Sequence, residues 1–433
     1  MASIATAAIS SSTPDCLRVT TGLFHGWRVV ATCFVISAVA CSLCLFGASV
    51  YLQALTSLHH WPIAEVSSAI TVYYLVSASS QRLVGRGIDQ WGPRPVLTIG
   101  TLAMALGVAL TGRVSQPWQL YPCFALIGIG WACLSATGVS ATVAPWFERH
   151  QGRSITLALM GSSLGAIIGV PLLLKAIDAR GVADGLGLVA LLAALMLLPL
   201  IGWVLRFRGP AQLGLQRDGD ASQASFSQPA TAPGVPAANP GNRKRLLWSI
   251  AAGFALALMT QVGFITHHVT LAVPLMGATG AGLLVAAGGI AAFAGRLMLA
   301  RRVDQLDVRR LAARILLAQA GALVLMAAWP GLTTLIIGSL VYGYGIGHIT
   351  TLSPIIVRRE FGPASFGKIY GSVATVTQFS SAAGPLALGA LRDSFDSYRP
   401  GLVVAATTTM LACLIVWAGR PATKTVQTLP ESG

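Results

Sequence analysis

The stretch VGRGIDQWGPR, Val84 to Arg94, returns 215 positions later as LARRVDQLDVR, Leu299 to Arg309. Arg86, Asp89, Gln90 and Arg94 thereby fall on Arg301, Asp304, Gln305 and Arg309, and the offset is almost half of the 433-residue chain. Each copy stands where a long apolar segment ends. One unit written twice, its motif capping one face of a membrane, accounts for the spacing and the setting together.

Hydrophobic residues make up 54% of the chain and charged residues 10%, an odd surface for a soluble globule, so lipid is the expected solvent. In lipid every backbone group has to be satisfied internally, which selects helices of roughly 20 apolar residues. Twelve segments qualify, at about 26–48, 66–83, 96–112, 118–143, 154–174, 186–205, 246–269, 278–299, 311–328, 332–357, 367–391 and 401–419. The expected fold class is an all-α integral membrane protein with twelve transmembrane helices in two pseudo-symmetric six-helix halves, 26–206 and 246–419. Residues 207–245 turn polar and carry Pro210, Pro229, Pro233, Pro236 and Pro240, which reads as a disordered cytoplasmic linker. Residues 1–25 and 420–433 read as cytoplasmic tails. Two halves joined this way place a substrate near mid-membrane where they face each other, with transport by their rocking.

A net charge of +15 invites a nucleic-acid reading, but the placement of the basic residues opposes it. With the N-terminus inside, 23 of the 29 Lys and Arg lie in inner loops, tails and helix ends, whereas Arg113, Lys175, Arg180, Arg392 and Arg399 lie outside and Arg296 lies within a span. That is a positive-inside bias, so the expectation is a multi-pass protein of the plasma membrane, the bacterial inner membrane, with both termini cytoplasmic. Its expected partners are membrane lipid and a small solute, not nucleic acid. The first twenty residues lack the apolar stretch of a cleaved signal peptide, so the first span itself directs insertion. Six of the seven cysteines, Cys33, Cys41, Cys44, Cys123, Cys133 and Cys413, sit in apolar spans without metal spacing and read as packed free thiols.

The repeated motif has a physical task. Asp89 is suited to accept from helix N-terminal amides or to pair with Arg86 or Arg94, while Gly85 and Gly92 permit close backbone approach. Such a cluster works as a conformational latch, with Arg301, Asp304 and Arg309 as its second copy. There Gly92 is replaced by Asp307 and Gly85 by Ala300, so the second copy is expected to differ in geometry. Gly161, Gly165 and Gly169 recur at four-residue spacing, as helix-packing stripes do.

Arg296 carries the strongest functional signal. It lies five residues before Arg301, on the order of 7 Å deeper along a helix, and no Asp or Glu lies in any span. A charge at that depth needs a wet cavity or a partner, and an anionic substrate is the simplest partner because guanidinium holds a carboxylate through two parallel hydrogen bonds. Snorkelling to the interface is the alternative. His267 and His268 in the seventh span are candidates for substrate binding and, with His348 in the tenth, for proton coupling, since histidine titrates near physiological pH. Structural hydrogen bonding is the alternative for each. Tyr342, Tyr344, Tyr73, Tyr74, Gln261 and Gln378 offer polar groups to a small acid. No HExxH, phosphate loop or GxSxG context is present, so neither chemistry on the substrate nor a metal or other cofactor is expected.

The first repeat matches the loop signature G-x3-D-x2-G-x-R of the major facilitator superfamily through Gly85, Asp89, Gly92 and Arg94. GWRVV from Gly26, HWPIAEVS from His60, WFERHQGRSITLALMGSSLG from Trp146, GRLMLARRVD from Gly295, REFGPASFGKIYG from Arg359 and AAGPLALGALRDSFDSY from Ala382 resemble the branch holding the monocarboxylate transporters and oxalate/formate antiporters. The resemblance implies the major facilitator fold and, at Arg296, the eighth-helix arginine that binds the substrate carboxylate; function as a monomer is expected because each chain contains both halves. Two departures matter. The animal carriers have an aspartate where this chain has Ala292 and a first-helix lysine where this chain has no basic residue past Arg28. Oxalate exchangers have a lysine in mid-helix eleven, where this chain offers Gln378, Ser380 and Ser381. One buried positive charge suits one carboxylate. The expected function is therefore secondary transport of a small monocarboxylate, by proton coupling or by exchange. A drug or metabolite exporter on the same fold and a solute-binding membrane sensor are the alternatives.

Overall fold

The computed structural model describes residues 24–219, 240–302 and 306–419. Among the described residues every regular element is helical. Eight apolar runs are long enough to cross a bilayer. Two of these, Gln151–Val204 and Arg243–Leu299, are each two antiparallel rods, because Gly181 at φ 79° and Gly277 at φ 69° reverse the chain in a backbone region that only glycine enters cheaply. With Ile63–Trp91 and Pro363–Phe395, which are less apolar, the rods number twelve among the described residues: α1 His25–His59, α2 Ile63–Trp91, α3 Pro93–Thr111, α4 Pro117–Trp146, α5 (151–180), α6 (182–204), α7 (240–276), α8 (278–302), α9 Val308–Ala328, α10 Leu332–Phe361, α11 Pro363–Phe395 and α12 Tyr398–Ala418. Successive rods run antiparallel. The ends of α2 and α8 that carry the repeated motif define one face, called the motif face here, and His60 and Arg113 mark the opposite face.

Large apolar side chains such as Leu102, Leu106, Leu191 and Leu195 are half or more exposed, as a lipid-facing belt requires. Inside, the glycine stripe of α5 lies against α1. A Cβ on Gly161 would strike the Phe34 carbonyl, and one on Gly165 would meet the Ala38 carbonyl at 2.7 Å. Both helices widen into a single π turn where they cross, Cys41–Leu45 in α1 and Gly165–Gly169 in α5, and the Ser42 hydroxyl donates across to the Gly165 carbonyl at 3.3 Å. Gly161→Leu is expected to cost about 1–3 kcal/mol or more by forcing the backbones apart, read as a lower unfolding temperature of the purified protein.

The apolar core shows how the halves meet. One buried cluster runs through the first half and continues into the opposite-face ends of the second, through Val269, Ala281, Leu335, Leu388 and Leu402. The motif-face ends of α7 to α12, with Ile250, Leu299, Ile315, Ile356 and Val416, pack as a separate cluster. The halves are therefore joined by apolar packing at the opposite face and parted at the motif face. Hydrogen bonds reinforce the joined end: the Asp393 carboxylate of α11 accepts from the Ala64 amide at 2.7 Å and the Ile63 amide at 3.3 Å, capping α2.

Of the stretch 207–245 expected to be a disordered linker, residues 207–219 fold onto the motif face of the first half and 240–245 begin α7, while 220–239 lie outside the described residues. Two side chains fasten the folded part. Arg208 donates to the Gln90 carbonyl at 3.2 Å and the Trp91 carbonyl at 2.9 Å, packing so close to Gly92 that a Cβ there would meet its Nε at 2.8 Å. Asp218 accepts from the amides of Glu148 at 2.9 Å, Arg149 at 2.9 Å and His150 at 3.3 Å, and pairs with His150 Nδ1 at 3.3 Å, which places its charge at the N-terminus of α5. Partial burial pushes the Asp218 pKa up, but these donors outweigh it and hold the carboxyl below the usual 3.8. A depressed carboxylate stabilises above its unfolded pKa and loses that contribution as pH falls through the folded value, so this docking is complete at neutral pH and fails only in strong acid. Asp218→Ala is expected to raise amide hydrogen exchange at Arg149 and His150 at pH 7, with no change at the opposite-face cap of α2.

Candidate functional site

Arg296 stands on α8 where this helix faces α5 of the other half. Its Nη1 donates to Ser162 Oγ at 2.9 Å and to Ser163 Oγ at 3.0 Å, which uses both hydrogens of that nitrogen. Among the described residues Nε and Nη2 make no hydrogen bond and no carboxylate pairs with the group. The arrangement leaves one complete edge of the guanidinium, two parallel N–H donors, for a planar anion. The two serines are what the sequence reading missed. Their signal is the pair of adjacent hydroxyls in MGSSLG, inside an otherwise apolar span.

Beside this group a cavity of about 620 Å³ runs in from the motif face between α1, α5 and α8. Trp27 and Phe34 wall it from α1, Leu157, Met160 and Leu164 from α5, and Phe293 from α8. Met160 and Leu164 bracket Ser162 and Ser163, and Phe293 precedes Arg296 by about one helical turn on α8. The charge thus flanks an apolar chamber.

The remaining polar candidates divide into two groups. Tyr73 and Tyr74 are buried on α2 with ring centroids 4.3 Å apart, and their hydroxyls find no partner; the same holds for Ser37 Oγ on α1, Ser77 Oγ on α2 and Gln261 Oε1 on α7. Buried polar atoms without a partner are uncommon, and each of these is a group that a water or polar solute could satisfy. Tyr342 is equally buried, packed against the Phe264 ring at 4.4 Å. Tyr344 reaches Met298 Sδ at 3.3 Å and lies tilted against the His348 ring at 4.6 Å, and Gln378 is half-buried on α11.

The three histidines are in different situations. His267 Nε2 donates to the Pro385 carbonyl at 3.0 Å, which fixes Nδ1 as the acceptor of the Tyr398 hydroxyl at 3.1 Å in the neutral ring, and Ser67 Oγ of the first half lies 3.4 Å away. It fastens α7, α11 and α12 at the joined end. His348 Nδ1 donates back to its own helix, to the Tyr344 carbonyl at 2.9 Å. His268 pairs with Ser339 Oγ at 2.9 Å and lines an interior cavity of about 30 Å³, room for a single water, together with Ser49 of α1 and Ala292 of α8.

The repeated motif does not form one latch. Arg86, Asp89 and Arg94 are exposed, and among the described residues Asp89 has no ion pair or hydrogen bond, so the pairing expected for it is absent in this arrangement. Gly92 turns at φ 89° under Arg208, while nothing lies within 4 Å of a Cβ placed on Gly85. In the second copy Asp307 accepts from the amides of Arg309 and Arg310, both at 3.0 Å, and caps α9. Arg301 is exposed and Asp304 lies outside the described residues. Arg309 is 2% exposed and holds Glu360 of α10 through Nε at 2.5 Å and Nη2 at 2.8 Å, with Nη1 on Ser249 Oγ of α7 and the Val416 carbonyl of α12. Its contacts all lie within its own half. The two copies differ because Arg208 fills the groove beside Gly92 in the first, whereas the motif's own arginine is drawn inside by Glu360 in the second. The cysteines Cys33, Cys41, Cys44, Cys123, Cys133 and Cys413 are buried free thiols.

The chain matches the family model of the Major Facilitator Superfamily over residues 30–298 and 268–433. Curated relatives include the oxalate:formate antiporter of Oxalobacter formigenes, 27% identical over 155 residues that cover 36% of each chain. The multidrug resistance protein MdtH of Yersinia enterocolitica is 28% identical over 109 residues, 25% of this chain and 27% of MdtH. Each alignment thus spans about a third or less of the relative. Among solved structures, the xylose transporter XylE from E. coli in its inward open conformation aligns with a TM-score of 0.70 at 13% identity, covering 93% of this chain and 98% of that one. The nucleoside transporter NupG aligns with a TM-score of 0.69 at 14% identity, covering 92% and 100%. At such identities the likeness is one of fold. The family match over nearly the whole length, with which the twelve rods among the described residues agree, establishes that the chain belongs to the Major Facilitator Superfamily of membrane transporters and is not an enzyme.

Proposed function

We propose that this protein is a secondary transporter of an organic monocarboxylate, working by alternating access as a monomer in a bacterial inner membrane. The observation that carries the reading is Arg296, a guanidinium held at the contact between halves by two serine hydroxyls, with one edge unpaired and no carboxylate to neutralise it among the described residues. A cation in that setting favours occupation by an anion. The bias of Lys and Arg toward the motif face makes it cytoplasmic, so the opening there is the inward-facing state, and closure would bring the second cluster of apolar residues against α1 and α5. His268, beside a water-sized cavity shared by both halves, is the best placed of the histidines to carry a coupled proton.

The test is uptake into liposomes of labelled formate, lactate, pyruvate, oxalate and larger monocarboxylates, with and without an inward proton gradient. Saturable uptake of a monocarboxylate supports the reading, and a response to the gradient adds proton coupling. Folded protein that moves none of the acids but moves a neutral or cationic amphiphile favours the runner-up, an exporter, for which the apolar walls of the large cavity speak.

A further inference from the structure

The chamber beside Arg296 is much larger than a two- or three-carbon acid requires. It is a cleft of about 620 Å³, open on one side, and it is lined by apolar and aromatic side chains. Its walls come from both halves, α1 and α5 from the first and Phe293 on α8 from the second, so an occupant touches both moving bodies. Arg296 is not part of the wall but stands about one helical turn beyond Phe293 on α8, and its serine partners lie between two wall residues, Met160 and Leu164, along α5. Polarity is therefore segregated, with one cationic fork at one side and an apolar volume next to it.

We propose that the substrate is an amphipathic monoanion: a carboxylate on the Nε and Nη2 edge of Arg296, carrying an apolar chain or ring of roughly six carbons or more that fills the chamber between α1, α5 and α8. Phe34, Met160 and Phe293 are the residues that set tail specificity. This rests on the carboxylate reading of Arg296 and adds the chemistry of the rest of the molecule. A second charge on the substrate has no counterpart in the apolar chamber, so dicarboxylates are disfavoured. Alanine at position 31, which also faces the chamber, leaves space that a larger residue would take from the tail.

The experiment is isothermal titration of the full-length protein in lipid nanodiscs against acetate, butyrate, hexanoate, octanoate, decanoate, dodecanoate and phenylacetate, each beside its neutral amide, with empty nanodiscs subtracted. Affinity is expected to rise about fourfold per added methylene until the chamber is filled, and the amides are expected to bind at least tenfold more weakly than their acids. Ala31→Phe is expected to move the optimum to shorter acids and Met160→Ala to longer ones; the opposite directions of these two variants separate a specificity change from general loss of folding. Acids that bind with equal affinity whatever their length, yet lose binding in Arg296→Ala, overturn the tail assignment and leave the carboxylate reading standing. Amides that bind as tightly as acids, or acids that do not bind to protein of normal thermal stability, overturn both.

Discussion

Arg296→Ala is expected to abolish saturable carboxylate uptake and to weaken binding by about 100-fold, roughly 2.7 kcal/mol, with little loss of protein stability. These two readouts part for a physical reason. The wild-type guanidinium is largely withdrawn from water with no carboxylate beside it among the described residues, so its removal relieves a desolvation cost in the empty protein. Ser162 and Ser163, which accept from its Nη1 at 2.9 and 3.0 Å, can turn their hydroxyls to carbonyls of their own helix instead. Only the bound state loses a charged, two-point contact. Arg296→Lys is expected to recover a small part of the affinity, because an ammonium keeps the charge but cannot present two parallel donors. Thermal unfolding and titration of the same sample decide the matter: normal binding by either variant removes Arg296 from the substrate site.

The opposite pattern is expected at Arg309. Arg309→Ala is expected to cost about 3–5 kcal/mol of stability, seen as a marked fall in unfolding temperature and in yield from the membrane. The side chain is 2% exposed and its carboxylate partner, Glu360, is 11% exposed, so truncation leaves a nearly buried charge without compensation. It also frees Ser249 Oγ and the Val416 carbonyl, and so loosens the motif-face ends of α7, α9, α10 and α12 together. Replacing both partners with apolar residues of similar volume, Arg309→Met with Glu360→Leu, is expected to restore much of the loss, since the charges are then removed together. A single mutant as stable as wild type would mean that the pair contributes nothing net.

These two arginines also show how far the chain can be read without its fold. Both were visible as charges near the ends of apolar segments. Sequence depth distinguished Arg296, which lies inside its span, and the resemblance to carboxylate carriers pointed to its task. Nothing local distinguished Arg309 from Arg94, its counterpart in the first repeat, although one is a buried hub and the other is exposed. The difference arises from Glu360, which lies 51 positions away on a neighbouring helix. Arg208 and Asp218 escaped attention for a related reason: they lie in a polar, proline-bearing stretch that reads as linker, and their partners are backbone groups that every residue possesses. Tyr73 and Tyr342 read alike in the sequence, and both prove fully buried, one against Tyr74 and the other against Phe264, partners that only the packing of helices reveals.

Membrane insertion, the helical class, the duplication and the place of the intramembrane charge were determined by the sequence alone, because lipid imposes a one-dimensional rule: a helix that crosses it must be apolar for a set length, and a run of about 20 apolar residues reads as such a helix. The small-residue stripe on α5 was legible for the same reason, as a periodicity along one helix. The tertiary structure decided which face of the bundle is joined and which is parted, which hydroxyls hold Arg296, and what volume lies beside it. Those properties depend on the approach of helices remote in the chain, whose contacts leave no periodic trace in either segment.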